Sequence, residues 1–340
     1  MHRGLMGMDI GAAGTKFVLA RHARGERVTT ISQWYYPGTL MDADEKEIKK
    51  LREFLQAHKL SGYSVACNIE DASLKIRKVD LPKMPESDLI EAVRWQLRDV
   101  VEGPVSEYSV RYSSLEEYTN ADSKRLSLIA YAIKKKSIRR LLDLLKKLVL
   151  NPVVVEPTSV SLLATFDALH EWNPGEFCGL LNLGQEQSFF TVMGDQKLYF
   201  SRPLVGVSNL KLKEMFEREL GLKHEVANTL KEALMRKTPL DRNLAGIKER
   251  AEALLPNFYT PIAIEVQRSI DAFCIMFRSE KVHQIFLCGG GASLPGLKES
   301  LTKTLAIPTA ILDPSTKFKI VSQEPPYLYN VALGLAFYSL

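Results

Sequence analysis

The sequence has no run of about 18 uncharged apolar residues, the length a helix needs to cross a lipid core, so no membrane-spanning helix is expected. Its opening, MHRGLMGMDIGAAG, meets Asp and Gly before a signal-peptide core could form, which argues against secretion. Only four cysteines occur, Cys67, Cys178, Cys274 and Cys288, none in a CxxC pair, and three lie in apolar runs. They read as reduced thiols of a reducing compartment. Neither G-x-x-x-x-G-K-[ST] nor G-x-G-x-x-G is present, so two common phosphate-binding loops are excluded. HExxH is missing too, and the six histidines show no metal-ligand spacing, so no metal is assigned to them. Charge is nearly balanced, 45 Lys and Arg against 40 Asp and Glu, which gives no reason to expect nucleic acid as the main ligand. No low-complexity segment occurs, and QEPPYLYN is too short for a linker.

What is present is an ordered, globular composition, 46% hydrophobic and 25% charged residues over 340 positions. That length exceeds what one core usually organises, so two lobes are expected. Leu5 to Ile10, Thr15 to Ala20 and Arg27 to Tyr36 read as a three-stranded meander. A charged helix follows, with an apolar stripe at Ile48, Leu51, Phe54 and Leu55 and Asp42 or Asp44 as N-cap. Strands are expected at Tyr63 to Ile69 and Ser73 to Asp80, the latter ending at Pro82. From Pro82 to Leu150 a helix (Glu86 to Val101), strands at Tyr108 to Tyr112 and Arg125 to Ile133, and a basic helix (Lys136 to Leu148) suggest an inserted α+β subdomain. Asn151 to Glu156 reads as a strand and Thr158 to Glu171 as a helix, with a turn at Asn173-Pro174-Gly175.

The segment FCGLLNLG followed by SFFTVMGDQKLYFSRP repeats the pattern of GLMGMDIG followed by TKFVLARHARGERVTT, with Asp9 and Gly11 falling on Asn182 and Gly184. An apolar strand, a D/N-x-G turn and a second strand thus head each half, the mark of an internal duplication. Helices follow, including a long one from Tyr259 to Arg278, then a buried strand, His283 to Cys288, running into Gly289, Gly290 and Gly291, and a last helix from Tyr329 to Leu340.

Chemistry is expected at three places. MDIGAAGTK sets an acid at a strand end, then glycines whose amides can approach an anion, then Thr15 and Lys16 to meet phosphate charge; a bland hairpin turn fits equally well. NLGQEQS offers a second amide-rich turn. CGGGASLPG lets backbone lie flush on a flat ring before a helix N-terminus, or else serves a tight turn needing positive φ. The basic helix, with Lys134, Lys135, Lys136, Arg139, Arg140, Lys146 and Lys147, reads as a solvated face, with acidic lipid or an acidic partner as the alternative. Trp95, near Leu89 and Val93, reads as core rather than as a partner hot spot.

In this order the three elements resemble the superfamily of actin, FtsA, DnaK-type chaperones and sugar kinases, and VVVEPTSVSLLA is similar to the E-P-T run of the chaperones. LPKMPESDLIEAVRWQLRDVV, SRPLVGVSNLKLKEMFERELGLKHEVANTLKEAL, EVQRSIDAF, FLCGGGASLPGL and NVALGLAFYSL resemble phrases of the PilM family of type IV pilus assembly factors, close to FtsA. The resemblance spans essentially the whole chain. It implies an α/β, actin-like, two-lobed fold of duplicated ribonuclease H-like domains with an inserted α+β subdomain in the first lobe. On it the first-lobe core would take 1–81, the insert 82–150, a connecting segment and helix 151–175, the second-lobe core 176–205 and 280–324, a helical subdomain 206–279, and a C-terminal helix returning to the first lobe 325–340.

Carried over by position, Asp9, Gly11, Gly14, Thr15 and Lys16 would form the first phosphate loop, Asn182, Gly184 and Gln185 the second, and Gly289, Gly290 and Gly291 the nucleoside loop, for ATP with Mg²⁺. Asp9 and Glu156 would face the metal through water, and Glu156 is the candidate catalytic group. Relatives carry Asp where this chain has Asn182, which cannot neutralise a cation or serve as a base, so hydrolysis is expected to be weak or absent. The implied role is a cytoplasmic ATP-binding scaffold, peripheral at the inner membrane. It would dock the N-terminal cytoplasmic peptide of a PilN-like bitopic membrane protein, with PilO, PilP and the pilus assembly ATPases beyond it. A secretion-system paralogue shares these phrases. The alternatives are an FtsA-like filament-forming actin homologue and a small-molecule kinase, for which no DxxD or ExGH element is found.

Overall fold

The computed structural model describes residues 5–21, 30–120, 123–239, 245–279, 281–321 and 324–339. Residues 27–29 of the expected third strand and Leu340 of the last helix lie outside them. The chain divides into two compact units, one of Met1–Asp167, Gln196–Phe200 and Val331–Leu340, the other of Ala168–Asp195 and Ser201–Asn330.

The first unit opens with β1 (Leu5–Ile10), β2 (Gly14–Arg21) and β3 (Thr30–Pro37), then α1 (Glu45–Ala57) and β4 (Ser64–Ile69). Asp44 caps α1, its side chain accepting from the Glu47 amide at 2.8 Å, which satisfies one of the helix's free N–H groups. After β5 (Lys75–Pro82), α2 (Glu86–Gln96), β6 (Tyr108–Asn120), β7 (Ser123–Lys134) and α3 (Lys135–Lys147) come β8 (Asn151–Pro157) and α4 (Thr158–Leu169). The main sheet of this unit runs β3-β2-β1-β4-β8; β1 and β2 are antiparallel, whereas β1, β4 and β8 are parallel.

Strand alternation gives this sheet two faces. Met6, Met8, Val65 and Cys67 join Ile48, Leu51 and Leu55 of α1 and Leu141, Leu144 and Leu145 of α3 in one apolar core. Gly7, Asp9, Asn68 and Glu156 point to the other face. There α9 (Asn330–Ala336) lies so close that a Cβ on Gly7 would sit 1.9 Å from the Ala332 carbonyl oxygen. On the same helix, a Cβ on Gly334 would meet the Ser161 carbonyl oxygen of α4 at 1.8 Å.

A second sheet of three strands, ordered β5-β7-β6, packs α2 through Leu89, Val93, Val79 and Val110. Its membership differs from the expected insert of 82–150 at both ends. β5 pairs along its length with β7, so the small sheet starts at Lys75, and α3 packs on the main sheet. The strand expected at Tyr108 to Tyr112 continues to Asn120, because the β6–β7 hairpin keeps pairing through polar, two-sided sequence that lacks a clean alternation. The helix expected to reach Val101 ends at Gln96. Trp95 corrects its expectation as core: Leu89 and Val93 are buried, but Trp95 is 62% exposed and stacks under the Arg98 guanidinium, 3.7 Å from the ring centroid. Two residues beyond Val93 lies nearly the opposite side of a helix. The α3 cations face solvent, and Arg140 and Lys147 pair with Asp42 and Glu45 beside α1.

The second unit contains β9 (Phe177–Leu183), β10 (Ser188–Gly194), the end of β11 (Lys197–Pro203), α5 (Asn209–Leu220), α6 (His224–Arg236), α7 (Ala245–Phe277), β12 (Gln284–Cys288), α8 (Leu297–Leu305) and β13 (Thr309–Ile311). Its sheet order is β11-β10-β9-β12-β13, with β9 antiparallel to β10 and parallel to β12. The run β3-β2-β1-β4 therefore has its counterpart in β11-β10-β9-β12, with the same pairing senses at the centre. The long helix spans 33 residues, starting well before the expected Tyr259, and carries Pro256 and Pro261 inside it. Cys67, Cys178 and Cys288 are buried free thiols. Among the described residues no helix is long and apolar enough to cross a membrane.

Candidate functional site

In the first unit the hairpin puts Asp9 directly across from Lys16, and Lys16 Nζ lies 2.9 Å from Asp9 Oδ2. Asp9 is 6% exposed, so this pair is shielded from salt and held in place. The turn between them closes through the Gly11 amide on the Gly14 carbonyl oxygen at 3.2 Å. A Cβ on Gly14 would meet the end of the Tyr35 ring, 2.5 Å from its hydroxyl, which donates to the Ala13 carbonyl oxygen. Thr15 is fully buried, and its hydroxyl oxygen has no hydrogen-bond partner among the described residues.

Asn68, which nothing in the sequence marked, fixes the site from β4. Its amide nitrogen donates to Asp9 Oδ1 at 3.0 Å and to Thr158 Oγ1 at 3.2 Å, while its oxygen accepts from the Ile10 amide at 2.8 Å. Glu156 stands opposite Asn68 on β8, on the same face. It is therefore two strands from Asp9, about 9–10 Å along the sheet. Tyr338 donates its hydroxyl to Glu156, and burial raises that carboxyl, opposed by the Tyr338 and Ser161 hydroxyls. Asp9 and Lys16 are thus brought together, and the residue beside Asp9 is Asn68 rather than Glu156. Glu70, just past β4, was missed as well. Although the residue is exposed overall, loss of hydration at its carboxyl pushes it up to about 7; the Asp71 and Asp9 charges add and the Thr158 hydroxyl opposes.

In the second unit Asn182 occupies the place of Asp9. Its Oδ1 accepts from the Cys288 thiol at 3.5 Å, the counterpart of the Asp9–Asn68 contact, and a Cβ on Gly289 would lie 2.7 Å from the same oxygen. Phe189 pairs with Asn182 where Lys16 pairs with Asp9, so the second copy lacks the cation. The Gly184 amide donates to Ser188 Oγ at 3.2 Å. Asn209, at the start of α5, fastens the turn after β9 twice: its backbone amide donates to the Gly184 carbonyl oxygen at 2.9 Å and its side chain to the Leu183 carbonyl oxygen at 3.1 Å. Its Oδ1 is buried without a partner among the described residues. Lys231 of α6, 1% exposed, donates to Gln185 Oε1 at 2.9 Å and pairs with Glu232. The sequence sites Asn182, Gly184, Gln185, Gly289, Gly290 and Gly291 therefore gather in one place, with Asn209 and Lys231 added by the fold.

The triple glycine has two separate causes. Gly289 takes φ +79°, a conformation that favours glycine. Gly291 is small because a Cβ would meet Leu183 Cδ2 at 2.4 Å and Asn209 Oδ1 at 2.6 Å, whereas at Gly290 the obstacle is the flexible tip of Met235, 2.7 Å away. Between the glycines and the helix that follows lies a short 3-10 turn, Gly290–Ser293, and α8 begins at Leu297. Pro295 and the left-handed Gly296 break the chain between them. The amides at this turn therefore act singly, without a full helix dipole behind them.

The family model described as type IV pilus assembly protein PilM matches residues 7–339. No curated protein matches the sequence. Among solved structures, the chain is similar to one described as the PilM-PilN type IV pilus biogenesis complex, at TM-score 0.81 and 20% identity over 100% of this chain and 99% of that one. It is also similar to the ethanolamine utilization protein EutJ from Carboxydothermus hydrogenoformans, at TM-score 0.54 and 12% identity over 98% and 89%. A third is MreB5 of Spiroplasma citri bound to ADP, at TM-score 0.52 and 12% identity over 99% and 96%. The fold is the actin-like one.

Proposed function

The chain belongs to the PilM family of type IV pilus assembly proteins, and from that premise we propose that it is an ATP-binding scaffold of a pilus, or related secretion, assembly platform. The observation that carries this reading is the pair of equivalent strand ends, one bearing Asp9 with Lys16 and the other bearing Asn182 tied to the triple-glycine turn. Lys16 meets the β- or γ-phosphate, and amides of the Gly11 to Thr15 turn and of the Gly184-Gln185 turn approach the phosphate oxygens. Backbone at Gly290 lies against the nucleoside, with Asn209 Oδ1 beside it as a free acceptor. Asp9 would hold a magnesium ion through water, and that ion would supply charge neutralisation to the phosphates.

Hydrolysis has little support in these residues. Asn182 carries no charge, and Glu156 is engaged by Tyr338 two strands away from Asp9. ATP then works as a structural ligand that stabilises the fold, in the manner of any ligand bound by the folded form. The similar structure is described as a complex with PilN, and a PilN-like bitopic membrane protein is the partner we assign, docked through its N-terminal cytoplasmic peptide. That contact makes the chain peripheral at the inner membrane, with PilO, PilP and the assembly ATPases beyond it.

The test is co-purification with the neighbouring bitopic membrane protein, whole and with its cytoplasmic N-terminus removed. The whole partner should be retained and the truncated one lost; equal retention of both would refute this docking.

A further inference from the structure

His170, Glu176 and Cys178 come together at the start of the second unit's sheet, in a place the nucleotide reading does not use. His170 follows the end of α4, Glu176 closes the turn after Asn173, and Cys178 is the second residue of β9. His170 Nε2 lies 3.1 Å from Glu176 Oε2 and 3.9 Å from Cys178 Sγ, and Cys178 Sγ lies 3.5 Å from Glu176 Oε1. A tetrahedral zinc ion with bonds of about 2.0–2.3 Å spaces its ligand atoms roughly 3.3–3.7 Å apart. His170 Nε2 and Cys178 Sγ are within a few tenths of an ångström of that spacing before any ion draws them in, the carboxylate meets the imidazole through Oε2 and the thiol through Oε1, and one ligand atom from each of the three residues lies within 4.8 Å of the others.

We propose that His170 Nε2, the Glu176 carboxylate and Cys178 Sγ form a binding site for a borderline divalent transition metal of the zinc class, with the fourth position taken by water.

The donor set selects the ion. One thiolate, one imidazole and one carboxylate suit Zn²⁺ or Co²⁺ and do not suit Mg²⁺ or Ca²⁺, which take oxygen ligands. The surroundings orient the ligands as an outer shell does. The Asn173 amide and side-chain nitrogen hold Glu176 Oε2 at 3.0 and 3.1 Å, and Trp172 and Phe286 present edge-on contacts to the His170 ring at 5.1 and 5.7 Å. Cys178 is fixed between β10 and β12 at 1% exposure, while His170 and Glu176 keep 16% and 12% of their side chains in contact with solvent, which leaves an approach for the ion and its water. Burial works against the Glu176 charge, but the Asn173 and His170 contacts hold its carboxyl down to about 2. Burial and the same carboxylate push the Cys178 thiol up. The thiol proton stays on until the metal replaces it, and then leaves to solvent. Asn182 sits at the opposite end of β9, about 13 Å along the strand, so this site stands or falls apart from nucleotide binding. Without a metal, the same trio is a hydrogen-bonded buckle that fastens the turn to β9, and the experiment separates the two.

The full chain, stripped with a chelator and kept reduced, is titrated with Co²⁺. One equivalent should bring up a thiolate-to-cobalt charge-transfer band in the near ultraviolet with d–d bands of tetrahedral intensity, and Zn²⁺ should abolish both. Cys178→Ala should lose the charge-transfer band, His170→Gln should weaken binding about tenfold or more, and Cys274→Ala should change nothing. No thiolate band in the unaltered protein, or a band that survives either Cys178→Ala or His170→Gln undiminished, overturns the site. The unaltered protein and His170→Gln decide the question even where Cys178→Ala fails to fold.

Discussion

Lys16 meets its cross-strand partner Asp9 in a place where a phosphate charge would compete for it. A charge-assisted contact contributes about 1.5–3 kcal/mol, so Lys16→Ala should weaken ATP binding by roughly ten- to a hundredfold in calorimetry. Folding should suffer less, because Asn68 still donates to Asp9 Oδ1. Glu70 gives a pH signature. Its folded carboxyl titrates at about 7, above the ordinary 4.5, so the folded state binds the extra proton between those values and stability falls as pH rises through them. Denaturant midpoints of wild type and Glu70→Gln should coincide near pH 4.5, with the variant the more stable above pH 7; parallel curves would show that the carboxyl is not strained. Asp9 and Lys16 were legible in the sequence because a hairpin brings them together seven residues apart. Asn68, 59 residues from Asp9, and Lys231, 46 from Gln185, were not, since parallel strand pairing and helix docking put them there.

At the level of elements, α9 owes its place to Gly334, and the close approach is to backbone that cannot swing aside. Gly334→Ala should therefore lower stability by about 1–3 kcal/mol or more, seen as a drop in the denaturant midpoint. The glycine turn splits the same way: Gly291→Ala drives into Leu183 and Asn209 and should destabilise more than Gly290→Ala, which displaces only the Met235 tip. Equal losses would mean that the turn relaxes as a whole. Strands and helices with clear periodicity, β1, β9, β12 and α1, were readable from residue type. What failed was assignment at equal local signal: β5 looks like any half-buried strand, and only its pairing with β7 gives it to the small sheet. Trp95 was misread because aromatic size suggested burial, whereas its angular position two residues past Val93 turns it to solvent.

On the scale of the whole molecule, the duplication seen in FCGLLNLG and GLMGMDIG is a duplication of sheet topology, with the polar residue at each central strand end preserved in place and changed in charge. Asn at the second strand end keeps the shape of the turn but can neither neutralise a cation nor serve as a base, which is the ground for proposing binding without turnover. Asn182→Asp should strengthen the Mg²⁺ dependence of ATP affinity, and an unchanged dependence would place the ion elsewhere.

The most direct measurement is calorimetric titration of Mg²⁺-ATP into the full chain, into Lys16→Ala and into Gly290→Val. One saturable site is expected in the unaltered protein, weakened by each substitution. No binding in the unaltered protein, or binding untouched by both changes, would contradict it.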